Sequence, residues 1–247
     1  GRRRDDTDLD TPNTMGLVGE CWGTARCLIG VVGSAIMGAA LSDGNTAVAL
    51  LANAIATGCM LYLIITTLGP ISGAHFNPAV TVAFALRGEH VRRDIAPYIA
   101  AQIAGGIIGV WATHVMFDLT VFQTSTTPRT GTAQWFSEIL ATFGLLFVIF
   151  GGLRQRPDAV PTLVAIYITG AYWFTSSTSF ANPAVTIARG LSDTFAGIDP
   201  RPIAMFIVMQ LSGGGIGHVV LMRLFGRAST SAVHQWDGAC SALSHRP

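Results

Sequence analysis

The chain has 247 residues, half of them hydrophobic and only 12% charged, with a formal net charge of +1. That composition excludes an ordinary soluble domain of this size and argues for a polytopic membrane protein, with no nucleic-acid partner expected. All the basic side chains are Arg, because the chain contains no Lys.

An exposed N-terminal tail, residues 1–15, is expected before the first apolar run, Gly16–Ala40. A span needs about 20 helical residues to cross a hydrocarbon core of about 30 Å, and this run meets that length. It carries Glu20 and Thr24 near its start, and Arg26, which needs a partner or a cavity at that depth. The next span is Thr46–Leu68. After it comes a polar loop, Ile71-Ser-Gly-Ala-His-Phe76, ending in Asn77-Pro78-Ala79-Val-Thr-Val-Ala83. Asn is among the best helix N-caps and Pro fits the first helical turn, so the motif predicts a helix start. From Pro78 to Leu86 it spans roughly 13–14 Å, half a hydrocarbon core.

The third span is Ile95–Phe117, and the linker Asp118–Ala133, rich in Thr and Ser, reads as an exposed external loop. The fourth, Trp135–Leu153, repeats the Glu-Thr pair as Glu138 and Thr142; the fifth, Ala159–Phe174, is the shortest. A second polar loop, Ser176–Ala181, leads into Asn182-Pro183-Ala184-Val-Thr-Ile-Ala188, and the sixth span, Pro202–Phe225, carries the Gly-rich run Ser212–Gly217 suited to close helix packing. A C-terminal tail, residues 226–247, follows.

The sequence therefore divides into two copies, about 15–117 and 134–225, each with three spans and one half-helix. An odd number of spans per copy inverts the second relative to the first. Arg2, Arg3, Arg4, Arg87, Arg92, Arg93, Arg154, Arg156, Arg223, Arg227 and Arg246 fall on one side of this layout, against Arg129, Arg189 and Arg201 on the other. The positive-inside rule makes the first side cytoplasmic, with both termini there, as in a multi-pass protein of the bacterial inner membrane.

Non-helical backbone at membrane depth is tolerated where protein or a water-filled cavity satisfies it, so the two loops imply a polar passage. The loop carbonyls of Gly73, Ala74, His75, Thr178, Ser179 and Phe180 are expected to line it. Two helix N-termini near the midplane place partial positive charge there, repelling cations, while Asn77 and Asn182 offer amide donors to a neutral solute. Cys21, Cys27, Cys59 and Cys240 and the scattered histidines lack metal-ligand or catalytic spacing, so neither a metal, a cofactor nor an enzymatic activity is expected.

The region from about Gly16 to Phe225 resembles the aquaporin and aquaglyceroporin family, on the strength of Ser72–Thr81, the Asn182-Pro183-Ala184 partner, the two glutamates and the six-span layout. The resemblance implies an all-α fold of six helices plus two re-entrant half-helices in a right-handed bundle, a pore in every protomer, and a homotetramer in lipid. It implies that Glu20 and Glu138 support the re-entrant loops rather than relay protons. His75 is read as a structural pore-lining residue, with gating by its protonation as the other reading.

Most relatives have an Arg directly after the second Asn-Pro-Ala; here that residue is Val185. The remaining filter positions carry over by spacing to Thr57, Gly170 and Ser179. Such a filter implies a passive channel for water and small neutral solutes, glycerol-like polyols and metalloid hydroxides such as arsenite. A mainly water-selective pore is the alternative, and a secondary transporter a remote one. Arg189, one turn beyond Val185, could replace the missing Arg in the vestibule; snorkelling to the outer surface or capping carbonyls near the half-helix end is preferred.

Overall fold

The computed structural model describes residues 14–226; the two tails, apart from their inner edges, and with them Cys240, lie outside the described residues. Eight α-helices occupy that stretch: α1 (Thr14–Leu41), α2 (Thr46–Ser72), α3 (Pro78–Arg87), α4 (Ile95–Met116), α5 (Thr132–Gln155), α6 (Val160–Phe174), α7 (Pro183–Arg189) and α8 (Ile203–Phe225). Five of them are long and apolar enough to cross a membrane. The fifth span, α6, falls short at 15 residues, extended at its start by a single 3-10 turn, Pro157–Ala159. The helices α3 and α7, of 10 and 7 residues, are the half-length elements that follow the Asn-Pro-Ala motifs.

Local chemistry explains where the half-helices begin. Asn77 and Asn182 hold extended backbone, and their side-chain oxygens accept from the amides of Ala79 (2.9 Å) and Ala184 (3.0 Å). Pro78 and Pro183 occupy the first turn, where no amide is missed. At its far end α3 stops at Gly88, whose φ of 73° is the left-handed conformation glycine adopts without steric cost.

In the first copy α1 packs on α2 and α4; in the second α5 packs on α6 and α8. The half-helices cross over: α3 leans on α8 of the second copy, and α7 on α4 of the first, so each copy completes the other's wall. Glycine makes the close approaches available. A Cβ at Gly105 or Gly109 would overlap the carbonyls of Cys21 or Ala25 in α1, and one at Gly213 would overlap that of Ile139 in α5. Backbone-to-backbone contact of this kind is how helices associate in lipid, where burial of apolar surface gives little drive. Large apolar side chains left exposed, among them Trp22, Ile55, Leu63, Phe147, Ile166 and Trp173, form a surface suited to lipid.

Arg26 lies on that exposed face rather than in the interior, its guanidinium 4.9 Å from the Trp22 ring centroid one turn earlier. The linker is largely exposed, as expected, with Ser125 its one buried residue, but it is bonded down along its length. Its Ser125 amide donates to the Gly190 carbonyl (2.9 Å), its Thr127 carbonyl accepts from the Asp199 amide (2.8 Å), and Thr126 donates through both amide and hydroxyl to Asp193 (2.8 and 2.9 Å). The segment folds over the end of α7 because the chain beyond Arg189 leaves carbonyls and amides there that need partners.

Candidate functional site

The two motif loops are the same backbone built twice. In the first, Gly73, Ala74 and Phe76 have φ of 81°, 51° and 48°; in the second, Thr178, Ser179 and Ala181 have 62°, 51° and 48°. Non-glycine residues in this region cost of order 1–3 kcal/mol each and persist only when their surroundings hold them. A buried glutamate does the holding in each copy. Glu20 accepts from the amides of His75 (3.0 Å) and Phe76 (2.6 Å), the Ser72 hydroxyl (2.7 Å) and the Gln102 amide (2.7 Å). Glu138 accepts from the amides of Phe180 (3.0 Å) and Ala181 (2.8 Å) and from Gln210 (2.6 Å). Gln102 and Gln210 also donate to Thr81 and Thr186, the motif threonines, at 2.9 and 2.8 Å.

The asparagines tie the copies together. Asn77 Nδ2 donates to the Ala181 carbonyl (2.7 Å) and Asn182 Nδ2 to the Phe76 carbonyl (2.8 Å), so each motif secures the opposite loop. Each amide carries two N–H donors, and among the described residues this bond takes one of them.

A cavity of about 400 Å³ passes both asparagines. Toward one end it is lined by Pro70, His75, Phe84, Glu89, His90, Tyr98, Leu153 and Val160; toward the other by Cys27, Thr57, Tyr172, Ser179, Val185 and Arg189. His75 stacks on Phe84 (4.7 Å between centroids) and its Nδ1 lies 3.1 Å from the Thr81 hydroxyl; His90 packs edge-on against His75 and Tyr98. Burial holds the His90 imidazole below its ordinary range, against an opposing pull from Asp94.

Of the residues expected at the passage, Gly73, Ala74, His75, Ser179, Phe180, Asn77, Asn182, Thr57 and Val185 line it. Pro78, Ala79, Pro183 and Ala184 are buried in the first turns behind the asparagines. Thr178 is absent from the lining, and its hydroxyl accepts from Arg129 at 3.4 Å. Gly170 is also displaced: α6 presents Val160, Val164, Ile168 and Tyr172, a stripe of every fourth residue. Two residues turn a helix by about 200°, so Gly170 faces away from that stripe. Tyr172 stands there instead, its hydroxyl 3.2 Å from that of Thr57.

Arg189 does not snorkel to the surface. It is only 2% exposed, its guanidinium lies 3.5 Å from the Phe180 ring centroid, and its Nε donates to the Ala196 carbonyl. Gln102, Gln210 and Arg129 also belong to the site, and none of the three was expected there. The glutamines had a signal, since Gln102-Ile-Ala-Gly-Gly106 and Gln210-Leu-Ser-Gly-Gly214 are the same pattern in corresponding spans. Arg129 had none, because its position depends on how the linker folds.

The profile of the Major intrinsic protein family matches residues 10–176. The aquaglyceroporin AqpS of Rhizobium meliloti (strain 1021) is 51% identical over 210 residues, 85% of this chain and 89% of that protein. Aquaporin Z of Bradyrhizobium diazoefficiens is 27% identical over 216 residues, 81% of this chain and 89% of its own length. Among solved structures, the aquaglyceroporin from Plasmodium falciparum superposes with a TM-score of 0.67 at 17% identity, covering 90% of this chain and 99% of that one.

Proposed function

The chain belongs to the major intrinsic protein family, a family of passive membrane channels rather than enzymes, and on that premise we propose that its passage conducts water together with neutral solutes of glycerol size, undissociated metalloid hydroxides such as arsenite included. One observation carries the reading: a single cavity runs past both motif asparagines and on to Thr57, Tyr172, Ser179 and Val185, with no guanidinium at the position directly after the second motif. Tyr172 fills more of the opening than a glycine would, yet its hydroxyl and that of Thr57 give a polyol partners on one side, while Val185 gives its carbon skeleton an apolar wall on the other.

The conducting unit is a protomer within a homotetramer of the bacterial inner membrane. The end carrying Arg87 and His90 faces the cytoplasm, as do both termini, and the linker covers the outer end. The likeness to a protein named an aquaglyceroporin supports the polyol reading. Uptake of labelled glycerol and of arsenite by cells expressing the chain, against cells with an empty vector, tests it. Both solutes are expected to enter several-fold faster with the channel; entry at the control rate for both would overturn the reading.

A further inference from the structure

We infer that Arg189, with Arg129 behind it, forms a relocated charge barrier one helical turn beyond Val185, which selects against cations at the outer end of the passage. The inference rests on the channel reading above and assigns it a specificity-determining pair that the Asn-Pro-Ala motif does not contain.

Three independent observations meet here. First, Arg189 lines the same cavity as Val185, Ser179 and Tyr172, four residues along α7 from Val185 and therefore about 6 Å further out on the same face. Second, its orientation is fixed. The guanidinium lies against the Phe180 ring at 3.5 Å, and Nε is held by the Ala196 carbonyl. Third, a second guanidinium stands by the same ring. Arg129 comes from the linker, 5.3 Å from the Phe180 centroid, and is held by the carbonyls of Gly197 (2.8 Å) and Phe195 (3.1 Å) and by the Thr178 hydroxyl (3.4 Å).

Among the described residues neither arginine forms an ion pair; the ion pairs there use Arg87, Arg93, Arg156 and Arg201. Glu138 is the acidic group within electrostatic reach of both, and its oxygens are taken by Phe180, Ala181 and Gln210. Backbone carbonyls and an aromatic face hold the two cations without neutralising them. A cation in a low-dielectric passage beside them is repelled more strongly than it would be in water. A neutral solute with an acceptor oxygen gains donors from the guanidinium, which bonds the protein through Nε alone among the described residues.

The arrangement also accounts for the linker's path across the end of α7. Carrying Arg129 to Phe180 requires the chain to cross the end of α7, and the bonds from Ser125 to Gly190 and from Asp199 to Thr127 fix that crossing.

The test uses the full chain in lipid vesicles, with glycerol permeability and sodium and proton leak measured in the same preparations. Glycerol flux in the unaltered protein reports on the channel reading, and its absence defeats that reading alone. The ratio of cation leak to glycerol flux reports on this inference. Arg189→Gln is expected to raise the ratio at least about tenfold and Arg189→Gln with Arg129→Gln to raise it further, whereas Arg189→Lys keeps it low. An unchanged ratio in a folded Arg189→Gln protein overturns the inference. Should that variant not fold, Arg129→Gln alone, which leaves α7 untouched, decides: it is expected to raise the ratio about threefold, and an unchanged ratio would overturn the paired barrier.

Discussion

Val185 and Tyr172 are the single side chains on which the proposed solute range turns. A valine in the position after the second motif leaves open space beside the hydroxyls of Thr57 and Tyr172. Val185→Arg would put a third guanidinium close to Arg189 and narrow the passage. Its glycerol permeability is expected to fall by about tenfold or more relative to water, read by stopped-flow light scattering. The asparagines were legible in the sequence because the motif declares both a cap and a helix start. The α6 position was not, since spacing along the chain does not fix a helix's rotation, and an error of two residues exchanged Tyr172 for Gly170. Arg189 was ambiguous for a different reason. One turn of helix places a long side chain either toward the passage or toward the surface, and only Phe180 and the Ala196 carbonyl decide between them.

The half-helices and their loops are the elements on which the site depends, and each loop is held by a glutamate from the first helix of its own copy. Glu20→Ala would leave the amides of His75 and Phe76 and the side chain of Gln102 without their acceptor in a buried site. A loss of at least about 3 kcal/mol of stability is expected, seen as a lower melting temperature in detergent. The repeat made this support legible, since Glu20 and Glu138 sit alike in the two copies, while the bonds themselves depend on left-handed backbone that no propensity announces. The loop after α7 is held differently. Arg201 donates through its amide and guanidinium to Asp199, and these bonds keep the Asp199 carboxyl at about 2, below its unfolded value near 3.9. The clamp is therefore complete above the unfolded value and is lost as pH falls through about 2. Protection of the Arg201 amide from hydrogen exchange, corrected for intrinsic rate, is expected to hold from pH 7 to about 4 and then decline; a decline centred near neutrality would show that another group controls the loop.

At the scale of the whole molecule, two copies of one plan enclose a passage that neither could form alone. The helix order and the inverted halves were readable from hydropathy and from the paired motifs, because in lipid each span must satisfy its own backbone and announces itself by length. The exchange of half-helices, α3 onto α8 and α7 onto α4, and the linker's descent over α7 were not readable, since both arise from contacts between distant segments. The family profile ends at residue 176, ahead of the second motif, and the part of the passage that follows holds Val185 and Arg189.

Osmotic shock of vesicles carrying the purified chain, with glycerol as the external solute, tests the central claim most directly. A channel for glycerol-sized neutral solutes shrinks the vesicles as water leaves and then reswells them quickly as glycerol follows, with a rate proportional to the gradient and no saturation. Rapid shrinkage followed by reswelling no faster than in empty vesicles would mean that only water passes, and would contradict the account.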